Sequence, residues 1–416
     1  MQSLDSSLSL PGIGRSAASP WWERERLRYE GERLTFAGHF VDELAPEYGM
    51  PTQFIDLRRA VENVRRLDEA FGVSQQPHRV HFAVKANRNR ALLEGLRADG
   101  ICGIDCCSPG EAQLALDVGF SGDEVSFTGT ALSDRDVATV GALPIRVNLD
   151  SISAIHKMGQ RFPGRRIGIR VNPQLGVGGS EQLTYSGKRP TKFGIYADRF
   201  DEAMLLAASY GLIVDGVHMH VGSGWLAEGV SSLHAATDRL CGFAKRVPDI
   251  RYVNVGGGIG VVHQPRQRAV DLRHYAAGIV TRVREALGPD VEVCCEPGEY
   301  IVGDAGIGLA EVTMVEEKGG ELFVGLNVGF NSNPQAAHYA FRHTVLPAVH
   351  ASSGPVARVC TVVGNINEVI DVFARGASFR SIKEGDVVAI LNAGAYSSSM
   401  ASDHCLRERA VEVLLR

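Results

Sequence analysis

The chain has 416 residues, 44% of them hydrophobic and 22% charged, with a formal net charge of -5 and a pI near 6.2. Such a chain can bury a large core plus a smaller domain, and the absence of a long basic run argues against nucleic acid or an anionic membrane as partner and for a small molecule. No stretch approaches the ~18 uninterrupted apolar residues of a spanning helix, and the N-terminal MQSLDSSLSLPGIGRSAASP lacks a basic start and an apolar core, so a cytoplasmic protein is expected.

Residues 1–22, rich in Ser, Gly and Pro, carry too little apolar surface to offset ordering entropy and are expected to be disordered. Residues 23–50 read as a lead-in that packs with the C-terminal part. From 51 to 304, strand-like runs alternate with helical patterns such as NRALLEGLRADG and LRHYAAGIVTRVREAL. The strand candidates are 80–86, 103–107, 124–129, 145–150, 166–172, 215–221, 251–257 and 291–297. Strands alternating with helices in this number predict a parallel (β/α)8 barrel, an α/β fold. Residues 305–416 turn β-rich, in LAEVTMVEEKG, LFVGLNVG, VARVCTVVG and GDVVAILNAGAY, and predict a mainly antiparallel β-domain.

Adjacent pairs Cys106-Cys107 and Cys294-Cys295 are poor geometry for disulfides, so reduced thiols are expected. His218 and His220 have no third ligand within reach by sequence, and no metal is expected.

Functional residues of a barrel gather at the C-terminal ends of its strands. Lys85 closes the first strand in HFAVKANRN. A lysine ending a buried run is costly unless it is paired, used covalently or able to snorkel to solvent. Gly256, Gly257 and Gly258 follow the seventh strand and can present backbone amides to a phosphate, as can an ordinary tight turn. Ser223 could add a hydroxyl, and His220 could stack on a flat ring. Glu296, after the eighth strand, wants a cationic partner, either a pyridinium nitrogen or a salt bridge across the mouth. Together these residues suit one ligand with a phosphate, a ring, a basic nitrogen and an aldehyde.

The motifs AVKAN, DCCSPGE, KFGI, HMHVGSG, VGGGIG, EPGEY, GNINEVIDVF and LNAGAYSSSMAS resemble those of the fold-type III pyridoxal-phosphate decarboxylases of diaminopimelate, ornithine and arginine. The resemblance runs from about Tyr48 to the C-terminus and implies the alanine-racemase-like barrel plus β-domain. It implies pyridoxal 5'-phosphate on Lys85 as a Schiff base, His220 on the ring and Glu296 on the ring nitrogen. Ser223, Gly256, Gly257, Gly258 and Tyr396 would hold the phosphate, with Asp105 in support. It also implies a homodimer with shared active sites, in which the segment Asn367 to Asp371 reaches across from the other subunit.

Three positions depart from the pattern. Asn367, before the retained Glu368, stands where the family has a proton-donating cysteine. Glu299 replaces the arginine of EPGR, and Gln335 stands near a second arginine position, with Tyr339 retained. A substrate with a distal carboxylate would lose two forked cationic partners. The expected function is therefore decarboxylation of an α-amino acid other than diaminopimelate, with Glu299, Gln335, Tyr339, Glu368 and Asp371 near the substrate. Decarboxylation coupled to transamination, epimerisation and a non-catalytic cofactor-binding role are the alternatives.

Overall fold

The computed structural model describes residues 20–187, 189–339, 341–353 and 355–416, so most of the segment expected to be disordered lies outside the described residues. Residues 20–22 belong with the lead-in instead. Trp22 is buried, edge-on to Tyr29, because an indole this large gains more from packing than an ordering penalty takes away. The lead-in forms a small antiparallel sheet of β1 (Leu27–Glu30), β2 (Arg33–Phe36) and β3 (His39–Phe40). Its Leu27, Leu34 and Phe36 share a core with Ile307, Leu309 and Leu391 of the β-domain.

Residues 52–56, expected to open the barrel, belong to the β-domain. They form β4 (Thr52–Asp56), whose five residues are all buried, with Phe54 in the β-domain core. The strand ends on Asp56, which caps the first barrel helix, Leu57–Gly72, by accepting from the amides of Arg58 and Arg59. The change of domain therefore falls within one residue of a helix cap.

The barrel closes from eight parallel strands: β5 (His78–Ala83), β6 (Gly103–Cys106), β7 (Val125–Gly129), β8 (Arg146–Leu149), β9 (Arg166–Arg170), β10 (Ile213–His218), β11 (Tyr252–Asn254) and β12 (Glu292–Cys295). Every predicted barrel strand is present. Each is a short run buried on both faces, as a parallel sheet walled by helices requires. The β-domain comprises β13 (Gly306–Lys318), β14 (Glu321–Leu326), β15 (Val345–Pro347), β16 (Arg358–Val363), β17 (Val372–Phe379), β18 (Val387–Leu391) and β19 (Val411–Leu415). Its central path runs β15-β18-β13-β14-β16-β17, while β4 joins β13 to β19. Pairing is antiparallel except at β14–β16 and β4–β19.

Candidate active site

Strand β5 stops at Ala83, two residues before Lys85, which sits in a single 3-10 turn, Val84–Ala86. The turn forms because the chain is held from outside the barrel. Tyr396 N donates to Ala86 O at 2.7 Å, and Asn87 Nδ2 donates to Gly394 O at 3.0 Å. The β-domain thus fixes the backbone that carries the lysine. Burial disfavours the Lys85 ammonium, but Asp105, Cys107 and Glu296 together outweigh it and its pKa is raised. Asp105 is buried, with Oδ1 lacking a partner among the described residues, and burial pushes its own pKa up.

Across the mouth, the loop after β11 has no room for side chains. A Cβ on Gly256 would lie 2.3 Å from Met219 O, one on Gly257 1.9 Å from Glu296 O, and one on Gly258 1.9 Å from Gly222 O. Gly256 and Gly258 also take φ values of 71° and 104°. This tight loop, with Ser223 and Tyr396 lining the space in front of Gly258, makes a cradle for an anion.

Between lysine and cradle stands His220. Its Nδ1 accepts from Gly257 N at 3.2 Å, so the neutral ring carries its proton on Nε2, which is buried without a partner among the described residues. Burial pulls its pKa well down, and the ring stays neutral. Below it, Glu296 Oε2 lies 2.8 Å from His218 Nε2, and Oε1 accepts from Asn254 Nδ2 at 2.6 Å. Burial alone would raise the Glu296 pKa, but the surrounding histidines, His218 above all, outweigh it and the group is held ionised.

The cavity over these groups measures about 490 Å³ and is walled by both domains. The barrel contributes Lys85, Cys107, Arg170, His220 and Glu299; the β-domain contributes Tyr339, Phe341, Tyr396 and Met400. Glu299 is buried and accepts from Val261 N at 3.3 Å, with His263 Nε2 at 3.6 Å.

Several expected substrate residues do not reach this cavity. Gln335 donates from Nε2 to Ala395 O at 2.6 Å and so braces the Tyr396 loop from behind, because its amide satisfies a buried carbonyl there. Asp371 does not line the cavity of its own chain either. It accepts from Phe330 N at 2.8 Å and Ile366 N at 2.7 Å, closing the loop that carries Asn367. Asn367 and Glu368 are exposed and do not line the cavity of their own chain. Glu368 lies 3.5 Å from His404.

Sequence reasoning missed Arg170. It is buried at the end of β9, lines the cavity against the Phe193 ring at 4.6 Å, and its guanidinium makes no hydrogen bond or ion pair with any described residue. The signal was present in RIGIRVN, where an arginine closes an apolar strand as Lys85 does. Tyr185, whose ring lies 5.2 Å from that of His220, was also missed.

An anion cradle, an imidazole whose Nε2 has no partner among the described residues, a buried carboxylate and a lysine on one cavity fit a phosphorylated pyridine aldehyde. The fold and this site define a pyridoxal-phosphate enzyme of the barrel-plus-β-domain class. Residues 57–303 match the family described as "Pyridoxal-dependent decarboxylase, pyridoxal binding domain". The diaminopimelate decarboxylase of Methanothermobacter thermautotrophicus is 36% identical over 92% of this chain and 90% of its own length. Among solved structures, diaminopimelate decarboxylase from Helicobacter pylori complexed with L-lysine is 28% identical, with a TM-score of 0.83 over 90% of this chain and 94% of that one. The enzyme from M. jannaschii in complex with L-lysine is 25% identical and gives 0.85 over 94% and 92%. The chain belongs to the pyridoxal-dependent ornithine, arginine and diaminopimelate decarboxylase family, and it is an amino-acid decarboxylase.

Proposed function

We propose that this decarboxylase acts on an α-amino acid whose far end is cationic or lacks a carboxylate, rather than on diaminopimelate, and that it works as a homodimer with shared active sites. The observation that carries this reading is Glu299. It is a buried carboxylate on the cavity wall, with no lysine or arginine pairing it among the described residues. A second carboxylate brought beside it would be repelled, whereas an ammonium or guanidinium would be held.

Bound pyridoxal phosphate supplies a ring that takes up the electron pair freed when carbon dioxide leaves. Lys85 Nζ would hold the cofactor through its aldehyde and give it up to a substrate amine. Glu296 would keep the proton on the ring nitrogen, His220 would lie against the ring, and Ser223, Tyr396 and the Gly258 amide would hold the phosphate on the tight loop built by Gly256 and Gly257, whose own amides donate to Asn254 Oδ1 and His220 Nδ1. Asp105 stands beside the lysine, and Tyr339 would face the substrate. Asn367 and Glu368 approach from the partner subunit; Val369 and Ile370 beside them are exposed, as a surface awaiting a second copy would be.

Diaminopimelate remains the second reading, favoured by Arg88 and the unpaired Arg170 on the cavity wall and by the relatives' activity. The protein loaded with pyridoxal phosphate is incubated with L-ornithine, L-lysine, L-arginine and meso-diaminopimelate, and carbon dioxide and products are measured. A basic amino acid should exceed diaminopimelate in kcat/KM by about 100-fold, the equivalent of about 3 kcal/mol in charged hydrogen bonds. Diaminopimelate as the best substrate would overturn the proposal. Carbonyl product with accumulating pyridoxamine phosphate would replace simple decarboxylation by its transaminating form.

A further inference from the structure

Loss of carbon dioxide leaves the substrate α-carbon in need of a proton, and the amide of Asn367 is no acid. Several protic groups line the cavity, but most are committed. Tyr396 and Ser223 stand in front of the glycine cradle, and the Tyr339 hydroxyl is directed at Met400 Sδ, 3.8 Å away. Cys107 belongs to neither group, and its thiol has Glu111 beside it.

We propose that the Cys107 thiol, in the same chain as Lys85, delivers the proton to the α-carbon. This inference rests on the decarboxylase reading of the site.

Cys107 directly follows β6 and lines the cavity together with Lys85. Its position is locked. The backbone amide of Cys107 donates to Glu111 Oε2 at 2.8 Å, and the next residue, Ser108, caps the helix Pro109–Val118 by accepting from Glu111 N. Cys107 is exposed to the cavity, but the protein around its thiol and then the Glu111 charge raise its pKa, so it carries its proton at neutral pH. The other cysteines are buried, apart from Cys405, which does not line the cavity. Arg170, only 7% exposed and with no hydrogen-bonding partner for its guanidinium among the described residues, opens on the same space, which marks it as built for a charged ligand.

The step balances. The S–H bond breaks, the electron pair on the α-carbon takes the proton to form a C–H bond, and a thiolate remains. Glu111, partly exposed, then relays a proton from solvent to that sulfur. No oxidant or reductant is needed.

The test compares the wild type, Cys107→Ala and Cys107→Ser on the best substrate of the amino-acid panel, reading amine product, carbonyl product and pyridoxamine phosphate. Without the thiol, protonation strays to the cofactor carbon, and the carbonyl-to-amine ratio should rise by at least about tenfold while carbon dioxide is still released. An unchanged ratio in both variants overturns the proposal and points to Lys85 as donor. If the wild type releases carbon dioxide from nothing in the panel, the substrate reading fails, and the thiol is judged by a measurement that needs no turnover. Apo-protein is loaded with the phosphopyridoxyl adduct of n-butylamine, and alkylation by iodoacetamide is followed by peptide mass spectrometry. A thiol against the α-carbon should be shielded about tenfold or more relative to the apo-protein, with Cys405 unaffected. Equal alkylation of Cys107 in both forms overturns the proposal.

Discussion

His218 Nε2 lies 2.8 Å from Glu296 Oε2, with both side chains buried under the barrel mouth. An ionised carboxylate cannot donate, so the proton of this contact sits on the histidine. Burial keeps His218 neutral by lowering its pKa, so the pair carries one negative charge, which suits a protonated pyridine nitrogen. Glu296→Gln removes that charge but keeps the shape. Pyridoxal phosphate should still bind, as read by its visible absorbance, while kcat falls by about 100-fold or more, in line with loss of a proton-holding group. A variant with near wild-type kcat would remove Glu296 from the chemistry.

Acid should destabilise the protein through its buried histidines. Burial pushes His81 and His343 down to about 4. With the folded value below the unfolded one, the unfolded chain binds more protons between these values. Stability is then fully present above about pH 6.5 and is lost as pH falls toward 4, with a slope on the order of 1.4 kcal/mol per pH unit for each histidine. Urea unfolding at pH 7 and pH 5 measures the loss. His343→Asn, which keeps a donor for Leu391 O, should shrink the difference between the two pH values; an equal difference would exclude His343 as a source.

The glycine cradle is a steric claim. In Gly257→Ala the new methyl carbon would meet Glu296 O at 1.9 Å, so the loop must move away from the phosphate. Pyridoxal-phosphate titration should show affinity weakened by about tenfold or more, with a lowered Tm, as overpacking of about 1–3 kcal/mol implies. Unchanged affinity would mean that the loop does not hold the cofactor.

The proposed sharing of sites between subunits is open to a complementation test. Asp371→Ala strips the Ile366 and Phe330 amides of their acceptor and should loosen the loop bearing Asn367 and Glu368, at a cost of about 1–3 kcal/mol for each amide left bare. Neither Lys85→Ala nor Asp371→Ala should be active alone. Mixed and allowed to exchange subunits, they should regain about a quarter of the sites, since half the dimers are mixed and each restores one of two sites. No recovery would place the loop in its own subunit's chemistry or outside the site altogether.

The barrel was legible because each of its strands is a compact apolar run, and the run ends pointed to Lys85, His220 and Glu296 without any knowledge of pairing. What sequence could not show depends on distant partners. Thr52–Asp56 reads as the start of the barrel until its pairing with β13 and β19 is seen. Gln335 and Asp371 look like substrate contacts by position, yet each is consumed by backbone groups that only folding brings close. Arg170 was overlooked because strand alternation alone does not say whether the last side chain faces the cavity or a helix.

The central claim, that Lys85 carries the cofactor, is tested most directly by borohydride reduction of the pyridoxal-phosphate-loaded protein followed by peptide mass spectrometry. A phosphopyridoxyl group should appear on the peptide containing Lys85, and the visible absorbance should be absent from Lys85→Ala. The group on another lysine, or none in a protein that still turns over substrate, would contradict the account.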